Sequence, residues 1–296
     1  MSIALGDGGI IVAVDGSPSS LVATDWAARD AALRRVPLTL VHVLSQPTVG
    51  LWPEPVSTAG LLEWRAKNGR EILGEARLVA DRAIFDVAPI AVDEVSCPGT
   101  PIPTLVDLSK DAAMMVVGCR GRGALRRRLL GSVSSGLIHH AHCPVAVIHD
   151  EDPLMDHPAQ APVLVGIDGS PASELATAMA FDEASRRGVG LIAMHGWFDD
   201  ELHAWTGIDW DRQLGAGREA LAERLAGWRE HYPDVEIEQR LVDGDPAEQL
   251  VNASEGAQLT IVGSHGRGGF AGMLLGSVSS AVVQAARMPV IVARQA

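Results

Sequence analysis

The chain repeats itself, and a duplicated unit must fold twice. Residues 11–20 read IVAVDGSPSS and residues 164–173 read LVGIDGSPAS, a shift of 153. Residues 118–148 (GCRGRGALRRRLLGSVSSGLIHHAHCPVAVI) match residues 263–293 (GSHGRGGFAGMLLGSVSSAVVQAARMPVIVA) at a shift of 145. The blocks keep their order, so the 296 residues are two copies of one unit. Each copy is long enough to bury its own core. The change of shift puts eight extra residues in the first copy, and the proline-bearing stretch Gln46–Thr58 is the natural place for them. The predicted layout is one domain over residues 1–150, a linker over 151–161 and a second domain over 162–296. The linker is charged, contains Pro153 and Pro158, and has no apolar period.

Short apolar runs without alternation suit strands buried on both faces. In the first copy these are Ile10–Asp15, Leu38–Leu44, Ile90–Val95, Met114–Cys119 and Val145–His149. Helical periods cover Ser19–Arg34, Leu61–Phe85, Pro103–Lys110 and Ser132–His142. The second copy repeats them: strands at Val163–Asp168, Leu191–His195, Val235–Leu241, Leu259–Gly263 and Val290–Ala293, and helices at Ser173–Arg187, Asp209–His231, Ala247–Ser254 and Ser277–Arg287. Alternating strands and helices predict an α/β fold: two Rossmann-like, five-stranded parallel sheets with helices on both faces. Aromatic residues make up only 4% of the chain, so the cores should be built from Ala, Val, Leu and Ile.

Ligands of such sheets bind beyond the carboxyl ends of the strands, where strand order reverses. That rule points to the residues after the first and fourth strands, which the repeat preserves. After the first come Asp15 and Asp168, each followed by Gly-Ser-Pro. Gly-Ser-Pro reads equally as a turn and helix start, with Ser19 or Ser173 as N-cap. A carboxylate at the tip of a buried strand needs donors or a ligand. After the fourth come Gly118, Gly121, Gly123, Gly131 and Ser132, then Gly263, Gly266, Gly268, Gly276 and Ser277 at identical spacing. Glycines let backbone amides approach a ligand, and Gly-Ser opening a helix presents free N–H groups and the positive dipole end. Together they predict a phosphate cradle in each copy. A P-loop is excluded because neither lysine, Lys67 or Lys110, fits one; no GxSxG elbow occurs, and a dinucleotide fingerprint would follow the first strand.

Charge and composition narrow the partners. The net charge of −13 argues against a general nucleic-acid binder. It is unevenly shared, with net −1 over residues 1–150 and −12 over 151–296. No apolar run is long enough to span a membrane, and the N-terminal residues lack the features of a secretory signal. Three cysteines without a CxxC pair suggest a reducing compartment, so a cytoplasmic location is expected.

These blocks resemble the universal stress protein family, in its tandem, ATP-binding form, and the composition is similar to that of mycobacterial members. The resemblance implies the strand order 3-2-1-4-5. It implies that Asp15 and Val43 in the first copy, and Asp168 and Gly196 in the second, contact the nucleoside. It also implies that the glycines and Ser132 or Ser277 hold the phosphates, usually with Mg²⁺. The first copy departs from the family's Gly-Ser-His-Gly loop at Cys119 and Arg120, and Gly196 stands where a small aliphatic residue is usual. The resemblance further implies that the apolar last strands pair, joining the two copies; whether two chains then form a homodimer, and which regulatory protein partner is involved, stays open.

His139, His140, His142 and Cys143 invite a metal reading, but their repeat partners are Gln284, Ala285, Arg287 and Met288. A structural role at a helix end is the expectation. Arg126–Arg128 reads as a solvated loop or a phosphate contact, and Trp52, Trp64, Trp197, Trp205 and Trp210 as core or lid packing. The expected function is a nucleotide-binding regulator of stress or growth arrest with one ATP per domain and no catalytic residue. A slow ATPase or adenylate-using hydrolase, and a scaffold with a structural nucleotide, are the alternatives.

Overall fold

The computed structural model describes residues 8–45, 58–85, 87–121, 130–151, 155–197, 210–266 and 275–294. The chain divides into two compact units, Met1–Asp150 and Glu151–Gln295. Unit 1 runs β1 (Ile10–Ala13), α1 (Pro18–Arg34), β2 (Leu38–Leu44), α2 (Thr58–Ile84), β3 (Val92–Pro98), α3 (Pro101–Leu108), β4 (Met114–Gly118), α4 (Ser132–His140) and β5 (Val145–Ile148). Unit 2 runs β6 (Val163–Gly166), α5 (Pro171–Arg187), β7 (Leu191–Trp197), α6 (Trp210–His231), β8 (Ile237–Asp243), α7 (Pro246–Ser254), β9 (Leu259–Gly263), α8 (Ser277–Ala285) and β10 (Val290–Ala293).

Parallel pairing gives the order β3-β2-β1-β4-β5 in unit 1. Unit 2 has β8-β7-β6-β9-β10. This is the α/β fold expected from the alternation of elements. Within unit 1, α1 packs with α2 and α3 with α4, as helices covering opposite faces must. Strands β4, β5, β9 and β10 are buried along their length, so they read as apolar runs interrupted only by Thr260. β3 lies at an edge and is mostly exposed or half-buried. It therefore runs Val92–Pro98, two residues beyond the start that its apolar content suggested.

Capping sets the helix starts, and two expectations are corrected by it. The N-cap of α1 is Ser17, whose hydroxyl accepts from the Ser20 amide at 3.2 Å, rather than Ser19. In α5 Ser170 caps the Ser173 amide at 3.2 Å, rather than Ser173 acting as the cap. Pro18 and Pro171 follow at the first helical position, where no intrahelical bond is lost. Pro101 likewise starts α3, two residues before the expected Pro103.

The second copy locates the eight extra residues of the first. Buried Ala76 and Ala80 of α2 match buried Leu221 and Leu225 of α6 at the later shift of 145. The additional residues therefore enter before that point, while Gln46–Ser57 itself lies outside the described residues. Among the described residues the cores are aliphatic with one exception. Phe181 is fully buried in unit 2 and stacks on Trp228 and Tyr232 at 5.7 and 5.6 Å, where unit 1 has Ala28, Ala83 and Val87. Residues 151–161 include a short 3-10 turn, Pro158–Gln160, and the Gln258 amide donates to the carbonyls of Ala159 and Ala161.

Helix α1 ends on Arg35 at φ 57°, whereas α5 ends on Gly188 at φ 65° in the matching position. A left-handed cap is costly for arginine and free for glycine. Arg35→Gly is expected to raise stability by about 1 kcal/mol in urea denaturation. A lower midpoint would contradict this account of the cap.

Candidate functional site

The order 2-1-4 makes β1 the point where successive crossovers leave in opposite directions, which opens a crevice beyond its carboxyl end. In unit 1 this is a cleft of about 870 Å³ lined by Asp15, Val43, Gly118, Gly121, Gly131 and Ser132, among others. In unit 2 a cleft of about 450 Å³ is lined by Asp168, Gly196, Gly263, Gly266, Gly276 and Ser277. Each set, scattered widely along its half of the sequence, is thus brought to one edge. Gly123 and Gly268, with Arg126–Arg128, lie outside the described residues.

The aspartates are held by their own turns. Asp15 Oδ1 accepts from the Ser17 amide at 2.9 Å, and Asp168 Oδ1 from the Ser170 amide at 2.9 Å. Histidines of the second strands pin the residue just before each turn. His42 Nδ1 donates to the Val14 carbonyl at 2.7 Å and His195 Nδ1 to the Ile167 carbonyl at 2.5 Å. The other carboxylate oxygens face the loop glycines. A Cβ on Gly121 would stand 2.8 Å from Asp15 Oδ2, and one on Gly266 2.7 Å from Asp168 Oδ2.

The glycines have different jobs. Gly118 ends β4 against the backbone of α1, where a Cβ would meet Ser19 Oγ at 2.5 Å and Ser19 O at 2.7 Å. Gly263 meets the Ala172 carbonyl carbon at 2.8 Å in the same way. These two are packing requirements of the fold, not simply openings for a ligand. Gly131 and Gly276 are different, since a Cβ there would find nothing closer than 3.5 and 3.6 Å. They are the N-caps of α4 and α8, and neither helix has a side-chain cap hydrogen bond. Ser17, Ser170 and Asp245 do cap α1, α5 and α7 with their side chains. The first amides of α4 and α8 therefore face the cleft with the positive end of the helix dipole, an arrangement suited to an anion. The loop ends are tied together by Gly131 N–H to Cys119 O and Gly276 N–H to Ser264 O, both 2.8 Å.

Two residues escape a reading of the sequence alone. Ser134 and Ser279, buried in the first turn of these helices, donate to the Gly118 carbonyl at 2.7 Å and the Gly263 carbonyl at 2.5 Å. They fasten helix start to strand end, and the identical SVSS in both copies is the available signal.

The copies differ beside the cradle. In unit 1 Arg120 forms an ion pair with Asp150 and its amide donates to Ser19 Oγ at 3.4 Å; Cys119 Sγ lies 3.7 Å from Ser19 Oγ. Burial pushes the thiols of Cys119 and Cys97 above their ordinary pKa. In unit 2 Ser264 Oγ meets His265 Nδ1 at 2.9 Å and Ser170 Oγ donates to the His265 carbonyl at 3.1 Å. Gly196 does not leave a gap: a Cβ there would touch Pro246 at 2.9 Å, so the proline ring walls the cleft where Val43 does in unit 1.

His139 spends Nδ1 on the Ser135 carbonyl at 2.6 Å, the His142 amide donates to Ser109 Oγ at 2.9 Å, and Cys143 is buried. Among the described residues no group of three or more His, Cys, Asp or Glu could hold a metal ion. Trp64 is 61% exposed and lines the unit-1 cleft rather than the core; Trp52 and Trp205 lie outside the described residues.

Residues 9–149 and 161–294 each match the Universal stress protein family. A universal stress protein of Mycobacterium tuberculosis is 57% identical over 287 residues, covering 97% of this chain and 96% of that protein. One from Mycolicibacterium smegmatis is 49% identical over 286 residues, covering 97% of each. The crystal structure of a universal stress protein from Archaeoglobus fulgidus superposes with a TM-score of 0.71 at 20% identity, covering 99% of this chain and all of that one.

Two outcomes follow from the packing. Gly118→Ala should cost about 2 kcal/mol or more in urea denaturation through backbone overlap, and Gly131→Ala about 1 kcal/mol or less. Equal losses would contradict the division of roles. A thiol reagent at neutral pH should modify none of Cys97, Cys119 and Cys143 in the native protein and all three once it is unfolded. Rapid labelling of native Cys119 would show that its site is open.

Proposed function

This chain belongs to the universal stress protein family, and we propose that it is a nucleotide-dependent regulator of a stress or growth-arrest response, holding one ATP in the cleft of each unit. The observation that carries the reading is the pair of helices, α4 and α8, that open on a bare Gly-Ser at the cleft in both units, whereas α1, α5 and α7 are side-chain capped. The amides of Ser132 and Val133, and of Ser277 and Val278, would receive phosphate oxygens, with the Ser132 and Ser277 hydroxyls beside them. Asp15 and Asp168 would accept from ribose hydroxyls. Val43 in unit 1 and the Pro246 ring over Gly196 in unit 2 would pack on adenine. Mg²⁺ bound with ATP would be coordinated chiefly by the phosphates and would neutralise part of their charge.

Binding rather than turnover is favoured because each aspartate and each second-strand histidine at the cleft edge has one polar atom tied to the fold. Asp15 and Asp168 each spend an oxygen on a turn amide, and His42 and His195 spend Nδ1 on a carbonyl. The clefts would then act by changing surface or stability with nucleotide level. A ligand at 100 times its Kd adds roughly 2.7 kcal/mol to the unit that binds it.

Isothermal titration should give two ATP per chain. Gly131→Val and Gly276→Val, which place a side chain in one cradle each, should reduce this to one, and the double variant to none. Loss of neither site in the single variants would overturn the assignment, as would a wild-type chain that takes up no ATP. Sustained ATP hydrolysis that persists in pure protein and is abolished by Asp15→Asn with Asp168→Asn would favour an enzyme instead.

A further inference from the structure

Helix α2 is seated on the unit-1 cleft in a way that the phosphate cradle does not require. Gly69 lies directly on the end of β2, where a Cβ would meet Leu44 Cδ2 at 3.0 Å and His42 Cδ2 at 3.2 Å. This close approach brings the preceding turn of α2 over the carboxyl end of β2. Trp64, Arg65 and Asn68 line the cleft there, together with Val43, Leu44 and Ser45. The Arg65 guanidinium donates to the Ser45 carbonyl and so fixes the helix turn to the strand end. Asn68 is half-buried at the same wall. At the matching register the second copy has Leu214 in place of Gly69 and Trp210 in place of Arg65, while Gln213 stands in place of Asn68.

The wall stands beyond β2, across β1 from the anion cradle at α4. A nucleotide whose phosphates lie on α4 and whose ribose lies at Asp15 would direct its base toward β2. An asparagine amide offers a donor and an acceptor side by side, the complement of the amino group and adjacent ring nitrogen of adenine. We propose that Asn68, held in place by Gly69 and Arg65, reads the amino edge of adenine in the unit-1 cleft, with the exposed Trp64 indole covering the base. Asn68 is then a specificity-determining residue, and this selectivity is set by α2 rather than by the glycine loop. The inference rests on the nucleotide reading above and adds the group that selects the base.

The test uses the full chain carrying Gly276→Val, so that only the unit-1 cleft reports. ATP and purine riboside triphosphate, which lacks the 6-amino group, are titrated calorimetrically. ATP should bind about tenfold more tightly than the purine analogue, the discrimination expected of one good bidentate contact. Adding Asn68→Ala should weaken ATP about tenfold, leave the analogue nearly unchanged, and bring the two affinities together. Continued binding of the analogue reports that the variant is folded and its cradle intact. If ATP and the analogue bind but their ratio is the same with and without the Asn68→Ala change, the inference is overturned while the nucleotide reading stands. If neither triphosphate binds the chain with an intact Asn68, the nucleotide reading fails and takes the inference with it.

Discussion

There is no room for a methyl group between Gly118 and the backbone of Ser19. That contact, repeated between Gly263 and Ala172, holds the end of the fourth strand of each unit against the start of its first helix. Much of the cleft follows from it. The Asp15 turn lies between strand end and helix start, and the loop leaving Gly118 must pass under the Asp15 carboxylate, where only Gly121 fits. Ser134 then fastens the next helix back to the Gly118 carbonyl. A strand end, a turn and a helix N-terminus are locked to one edge of the sheet.

The lock leaves the first amides of α4 and α8 at the cleft without a side-chain cap from their own helices. Glycine at an N-cap sacrifices roughly a few tenths of a kcal/mol relative to a capping Ser, Thr, Asp or Asn. Helix α3 also lacks a side-chain cap, but at α4 and α8 the omission recurs at the same place in both units and opens on the cleft. The cleft walls vary around that common cradle. Pro101 and Pro246 line their respective clefts, but unit 1 adds Val43, Arg120 paired with Asp150, and a helix drawn in by Gly69, where unit 2 has Gly196 and His265.

Much of this is legible in the residue order because the fold is written twice. Parallel strands largely buried on both faces leave mostly apolar runs, so β2 and β9 begin and end where those runs do despite Thr39, His42 and Thr260. Edge strand β3 lacks that signal, and its apolar content points two residues too early. The spacing of the glycines locates both clefts but not the division of labour within them. Whether a glycine is needed for packing or for a ligand depends on what its missing Cβ would touch, and Gly118 touches Ser19, a residue distant in sequence. The N-caps lie two or three residues from where the sequence suggests because Ser17, Ser19 and Ser20 differ only in which amide they reach. Trp64 matches Asp209 and Asn68 matches Gln213, pairings too weak to single out in the sequence, so their place on the cleft wall becomes visible only with α2 docked on β2.

The central claim is that the first amides of α4 and α8 hold an anion. Amide hydrogen exchange at Ser132, Val133, Ser277 and Val278, with and without ATP, addresses it directly. The account predicts that exchange at these four amides slows on saturation with ATP, more than at the side-chain-capped start of α7. Bound ATP with unchanged exchange at all four would place the phosphates elsewhere and contradict it.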